Sequence, residues 1–124
     1  MSQHVCVKKA NLNKIGYENL REWLANKNNL YVGRYGRISV KENDGSISIF
    51  HYPGSKWGNP FKVSEEMPVE KSLKLYEEHL HKSGLIKQLL ELQGKNLGCF
   101  CENNAQCHAK LLVKLLKEKE GKEN

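Results

Sequence analysis

The sequence lacks any apolar run approaching the roughly 20 residues a bilayer-spanning helix requires. Its start, Met1-Ser2-Gln3-His4, has no basic stretch leading into an apolar block, so no signal peptide is visible. It holds neither a GxGxxG dinucleotide fingerprint nor the phosphate loop GxxxxGK[ST], which removes the ordinary nucleotide motifs. No internal repeat and no linker interrupt its 124 residues, which suit one domain with a single core. Cysteine is sparse at four, in a chain that is not loop-dense. An intracellular, reducing setting is therefore expected, with the cysteines as thiols or metal ligands and no membrane partner.

Acidic residues are scarce in the first half only. Residues 1–62 carry ten Lys/Arg against four Asp/Glu, and residues 63–124 carry ten of each, so the net +6 lies entirely before residue 63. That excess suits an anionic ligand or a nucleic acid, and a solvated lysine-rich face accounts for it equally well.

What is present reads as alternating strands and helices. Val5-Cys6-Val7 forms a short apolar run for a first strand within His4–Ala10, and Leu20, Trp23 and Leu24 share a helix face. Leu30-Tyr31-Val32 predicts a second strand. Ile38–Val40 and Ile47–Phe50 flank Asn43-Asp44-Gly45-Ser46, a hairpin signal. Ser64 is a candidate cap for a helix whose stripe is Val69, Leu73, Tyr76 and Leu80, with Pro68 in its first turn. A shorter helix with Ile86, Leu89 and Leu90 follows Gly84 and ends near Gly94. Leu97–Cys101 reads as a strand buried inside the sheet, and a last helix from about Cys107 carries Leu111, Leu112, Leu115 and Leu116. The expected fold is α/β: one small Rossmann-like domain over residues 1–118, with a mixed sheet, helices packed on it and a β-hairpin insertion. Residues 119–124 read as a charged, flexible tail.

Three of the four cysteines and one of the five histidines fall between Leu97 and His108, at a strand-to-helix turn. Cys99 and Cys101, two apart on a strand, share a face. Cys107 and His108 fall at the start of the last helix, where free N–H groups and the dipole favour negative charge. Three readings stay open. In the first, the turn is an anion or reactive site, with Cys107 as nucleophile of lowered pKa and His108 as proton carrier, the two catalytic candidates. In the second, Cys99, Cys101, Cys107 and His108 bind zinc. In the third, the cysteines and His108 are core packing. A second constellation joins Arg34 to the loop Ser55-Lys56-Trp57-Gly58-Asn59-Pro60-Phe61. Arg34, Ser55, Lys56, Trp57 and Asn59 are its candidate ligand-binding residues, expected to converge on the Cys101–His108 turn.

In order along the chain, Tyr31-Val32-Gly33-Arg34, Ser55–Phe61, Tyr76, Leu92–Cys101 and Cys107-His108 resemble domain-of-unknown-function family 4326, from about Val5 to Leu116. Members of that family occur in bacteria, phages, large viruses and some eukaryotes, and the resemblance implies no particular activity. The turn alone is also similar to another family, in which a cysteine precedes His-Arg. The family commonly has proline soon after its second cysteine and glycine after Cys-His. Here Asn103 and Asn104 fill that loop, Ala109 follows His108, and the Cys101–Cys107 loop is one residue longer.

The function expected from these features is binding of a nucleotide-like or other anionic small molecule at the Cys-His turn, with or without a reaction on it. One alternative is a zinc-stabilised nucleic-acid-binding module. The other is a structural or accessory protein with no catalytic role.

Overall fold

Leu97, Gly98 and Cys99 are all buried, so the strand that carries them must be covered on both faces, as central strands of parallel sheets are. In the computed structural model, which describes residues 2–101 and 107–123, this strand, β5 (Asn96–Cys99), is the middle of a three-stranded sheet. Its neighbours are β1 (Gln3–Cys6) and β2 (Asn29–Tyr31), both parallel to it. His4 pairs with Leu97, Cys6 with Cys99, and Leu30 with Leu97. Two further backbone bonds extend the ladders past the strand ends, from Val7 N–H to the Cys99 carbonyl and from Val32 N–H to the Gly98 carbonyl, each 2.9 Å.

Each face of the sheet has its own core. Leu97, Cys99 and Val32 pack under α3 (Val69–Ser83), a 3-10 segment (Leu85–Leu92) and α4 (His108–Glu123), against Tyr76, Leu80, Leu89, Leu92, Leu112 and Leu116. Gly84, at φ 83°, ends α3 in a left-handed turn that favours glycine. The opposite face holds Val7 and Tyr31 against α1 (Lys9–Lys14), α2 (Leu20–Leu24) and the hairpin of β3 (Gly36–Lys41) and β4 (Ile47–Tyr52). Asn19 caps α2, its side chain accepting from the Glu22 N–H. Among the described residues, no helix is long and apolar enough to cross a membrane.

The molecule is a small mixed α/β domain that departs from the sequence reading in several places, and the strand expected over Leu97–Cys101 ends at Cys99. The single mixed sheet is corrected to two sheets: an all-parallel one, and the antiparallel β3–β4 pair lying apart from it. Ser64 does not cap α3. It makes a tight reciprocal turn with Met67, and the helix opens after Pro68. α4 continues to Glu123, taking in most of the stretch read as a tail. The expected hairpin is observed, and its register sets Ile38 opposite Phe50.

Gly98 is where the second core presses closest on β5. A Cβ there would lie 2.5 Å from Trp23 Cη2 and 2.7 Å from Val7 Cγ1. Trp23 is 1% exposed and has little room to retreat. Gly98→Ala is therefore expected to destabilise the fold by about 1–3 kcal/mol, as overpacked cores do. Urea unfolding would show it, and an unchanged midpoint would mean that Trp23 is not held against the strand.

Candidate functional site

The carboxyl ends of β2 and β5 open into a cavity of about 500 Å³, where open α/β sheets characteristically bind ligands. Gly33 and Arg34 enter from the β2 side, Cys99, Phe100 and Cys101 from β5, and Cys107 and His108 from the start of α4. Tyr31, Tyr52 and Phe61 add aromatic wall. Tyr31 and Tyr52 meet edge to face at 5.1 Å between ring centres, and Phe100 lies 6.0 Å from the one and 5.8 Å from the other. The Tyr31 hydroxyl donates to the Arg34 carbonyl at 2.7 Å, and burial pushes its pKa up to about 12, so it remains a neutral phenol. Positive charge comes from Arg34 and from Lys62.

Of the five ligand-binding candidates, the structure brings Arg34 and Asn59 to this cavity and leaves Ser55, Lys56 and Trp57 out of its lining. Arg34 donates from Nε (3.1 Å) and Nη2 (2.8 Å) to the Asn59 carbonyl, which fixes the guanidinium at the cavity wall. The Asn59 side chain accepts from the Phe61 N–H and donates to Ser72 Oγ at 2.9 Å. Ser72, fully buried on α3, donates onward to the Phe61 carbonyl. Ser55 Oγ accepts from the Trp57 N–H, a turn bond. Trp57, 1% exposed, sits in the α3–α4 core, its indole N–H donating to Glu91. Lys56 pairs with Glu91 at 2.8 Å and donates to Gln88. Trp57 and Lys56 thus anchor the loop onto the 3-10 segment, and Ser55 bonds within the loop.

The sulfur cluster also differs from the expected set. Cys99 Sγ lies 3.6 Å from Cys107 Sγ and 3.1 Å from Nε2 of His4, which comes from β1. The ligand atoms of His4, Cys99 and Cys107 all lie within 4.8 Å of one another. Cys101 interacts with both of those thiols but lies outside this three-residue group. His108 is not in this group: its Nε2–H donates to the Val32 carbonyl at 2.6 Å, and burial lowers its pKa, so the ring is neutral. The zinc set read from the sequence therefore loses His108, and His4 occupies the place beside the thiols. His4 carries no sequence signal of its own, because a parallel pairing across most of the chain length brings it there.

Hydrogen bonding with Cys101 and Cys99, in which either sulfur of the Cys99–Cys107 pair can donate, and a backbone N–H bond from Lys110 in the first turn of α4 hold the Cys107 thiol below its ordinary range. The same sharing with Cys101 and Cys107, together with burial, pushes Cys99 up. Cys107 is thus the N-cap of α4, with sulfur in the place of the usual oxygen. Asn103 and Asn104 lie outside the described residues.

Residues 15–118 match the family model described as Domain of unknown function (DUF4326). The chain belongs to this family. This DUF4326 protein is also similar to an uncharacterized protein of Acanthamoeba polyphaga mimivirus, with 29% identity over 75 residues, 55% of this chain. The match covers 58% of that relative, less than two thirds of its length. No solved structure matches. The DUF4326 match takes in every cavity residue named above and the three clustered cysteines, while His4 lies ahead of it.

The loop anchoring separates two substitutions that sequence alone would rank the other way. Ser72→Ala leaves the Asn59 amide and the Phe61 carbonyl without their buried partner and is expected to cost about 1–3 kcal/mol. Lys56→Ala removes a half-exposed ion pair and should cost less than about 1 kcal/mol. Thermal or urea denaturation of the two variants checks the order. A Lys56 variant the less stable of the pair would show the loop to be held from the surface.

Proposed function

We propose that this DUF4326 protein binds a nucleotide-like anionic small molecule in the cavity at the carboxyl ends of β2 and β5. The observation that carries this reading is the pairing, in one concavity, of an aromatic wall (Tyr31, Tyr52, Phe61, Phe100) with a fixed guanidinium, Arg34. A planar base suits the rings, and a phosphate suits the planar fork of arginine and the start of α4. The volume lies within the ordinary range of small-molecule sites. Placement at the ends of parallel strands supports a Rossmann-like mode of binding without the glycine-rich fingerprint.

The geometry favours binding over a cysteine-based reaction. The Nε2–H of His108 is given to the Val32 carbonyl, which takes that nitrogen out of proton transfer with Cys107. Cys107 is 4% exposed and surrounded by the other thiols and His4.

Isothermal titration calorimetry with ADP, adenosine and inorganic phosphate tests the proposal. ADP is expected to bind more tightly than either fragment, because the walls and Arg34 act on different halves of it. Arg34→Ala should weaken ADP binding roughly 10-fold or more, the worth of a charge-assisted hydrogen bond, and barely affect adenosine. Lys62→Ala, at a side chain with no hydrogen bond among the described residues, repeats the charge test without removing a bond to the Asn59 loop. No saturable ADP binding at about millimolar concentration, or ADP affinity unchanged by both substitutions, would sink the proposal.

A further inference from the structure

We infer that His4, Cys99, Cys101 and Cys107 form a binding site for a soft divalent metal ion of the zinc type, which ties β1, β5 and the start of α4 together. The inference goes beyond the ligand cavity and does not depend on it. Its first support is spacing. Sulfurs bound to one tetrahedral zinc at about 2.3 Å stand about 3.8 Å apart, and an imidazole nitrogen at about 2.0–2.1 Å stands about 3.5 Å from each sulfur. Cys99 and Cys107 are 3.6 Å apart, and His4 Nε2 is 3.1 Å from Cys99. The three ligand atoms span no more than 4.8 Å, so small side-chain adjustments bring them to corners of such a polyhedron. Cys101 interacts with both thiols from outside that three-residue group, and it would move in as the fourth ligand. Three thiols and one imidazole are a standard structural zinc set.

The second support is how the fold arrives at this arrangement. Cys6 pairs with Cys99 in the β1–β5 register, so His4, two residues back on β1, shares a sheet face with Cys99. Cys101 follows β5 at the same parity, and Cys107 caps the helix that packs over that face. Four donors from three elements therefore meet on one side of one strand. All four cysteines of the chain are free, including Cys99 and Cys107 in contact at 3.6 Å. A pair kept only for packing would need no imidazole beside it. The backbone N–H of Lys110, aimed at Cys107 Sγ, is the kind of outer bond that orients a thiolate ligand. On binding, each thiol that joins the metal releases its proton to solvent and His4 ligates as the neutral ring.

The test uses the full chain under a thiol reductant. Metal content by plasma mass spectrometry should give one zinc per chain. After chelation, cobalt(II) titration should restore an equimolar complex with the intense visible bands of tetrahedral cobalt and a near-ultraviolet sulfur-to-cobalt charge-transfer band. His4→Gln, on a half-buried strand residue, should keep the circular dichroism of the parent and weaken cobalt binding about 10-fold or more. His81→Gln, on the exposed side of α3, should leave it unchanged. Cys99→Ser should remove most of the charge-transfer intensity. A purified chain that holds no zinc and gives no cobalt bands under reductant would overturn the inference. So would cobalt binding insensitive to His4→Gln, or binding lost through His108→Gln instead.

Discussion

Burial of β5 on both faces is the constraint from which the rest of the molecule follows. A strand that carries Leu97, Gly98 and Cys99 in sequence has no solvent-facing side, so it needs a strand at each edge and a layer over each face. Parallel neighbours demand crossover connections, and the helices in those crossovers become the covering layers. On the α4 face the strand offers side chains, Leu97 and Cys99. On the other it offers only the flat backbone of Gly98, and the indole of Trp23 lies against it. The two cores are therefore unlike: one is built of leucines gathered from three helical segments, the other of rings and a short hairpin.

The same strand concentrates chemistry at one end. Once Leu97 is fixed in the core, Cys99 and Cys101 can only emerge toward the start of α4. The leucines of α4 must reach back over β5, which sets Cys107 above them. Burying polarizable thiols together is tolerable because they satisfy one another, and Cys107 also takes the N–H of Lys110. This leaves the neighbouring His108 to pin the β2 side through the Val32 carbonyl. Two residues adjacent in sequence thus face different tasks, as their divergence by about 100° at a helix start requires.

The periodic parts of the fold are legible in the sequence: β5, the Asp44-Gly45 hairpin, the α3 stripe through Tyr76 and Leu80, and the leucines of α4 each carry a local pattern long enough to read. α1 does not, because its six residues bury only Leu12. Nor does the separation of the two sheets, since alternation in β3 and β4 says which side is apolar and nothing about the partner strand. Lys56 illustrates the limit for the site. Its position beside Trp57 and Asn59 suggests a shared ligand, yet its partner Glu91 lies on a segment the loop reaches only after folding. His4 is the converse case, a residue without a motif that a parallel register delivers to the cysteines. Composition identifies the chemistry of the cluster; pairing across 95 positions of sequence decides its membership.

The anchored loop bears on how the cavity works. Arg34 spends two donors on the Asn59 carbonyl, and Asn59 is in turn locked by Ser72 and the Phe61 N–H. Those bonds cost the guanidinium part of its donor capacity while removing most of the rotamer freedom that binding would otherwise have to freeze, worth about 0.5–1.5 kcal/mol for a long side chain. Arginine suits this division where lysine would not, because its fork can give two N–H groups to the protein and keep its remaining N–H groups and the full positive charge for a ligand. The buried Asn59–Ser72 pair, far from the surface charges that first draw the eye, is thus what makes Arg34 a fixed feature of the wall.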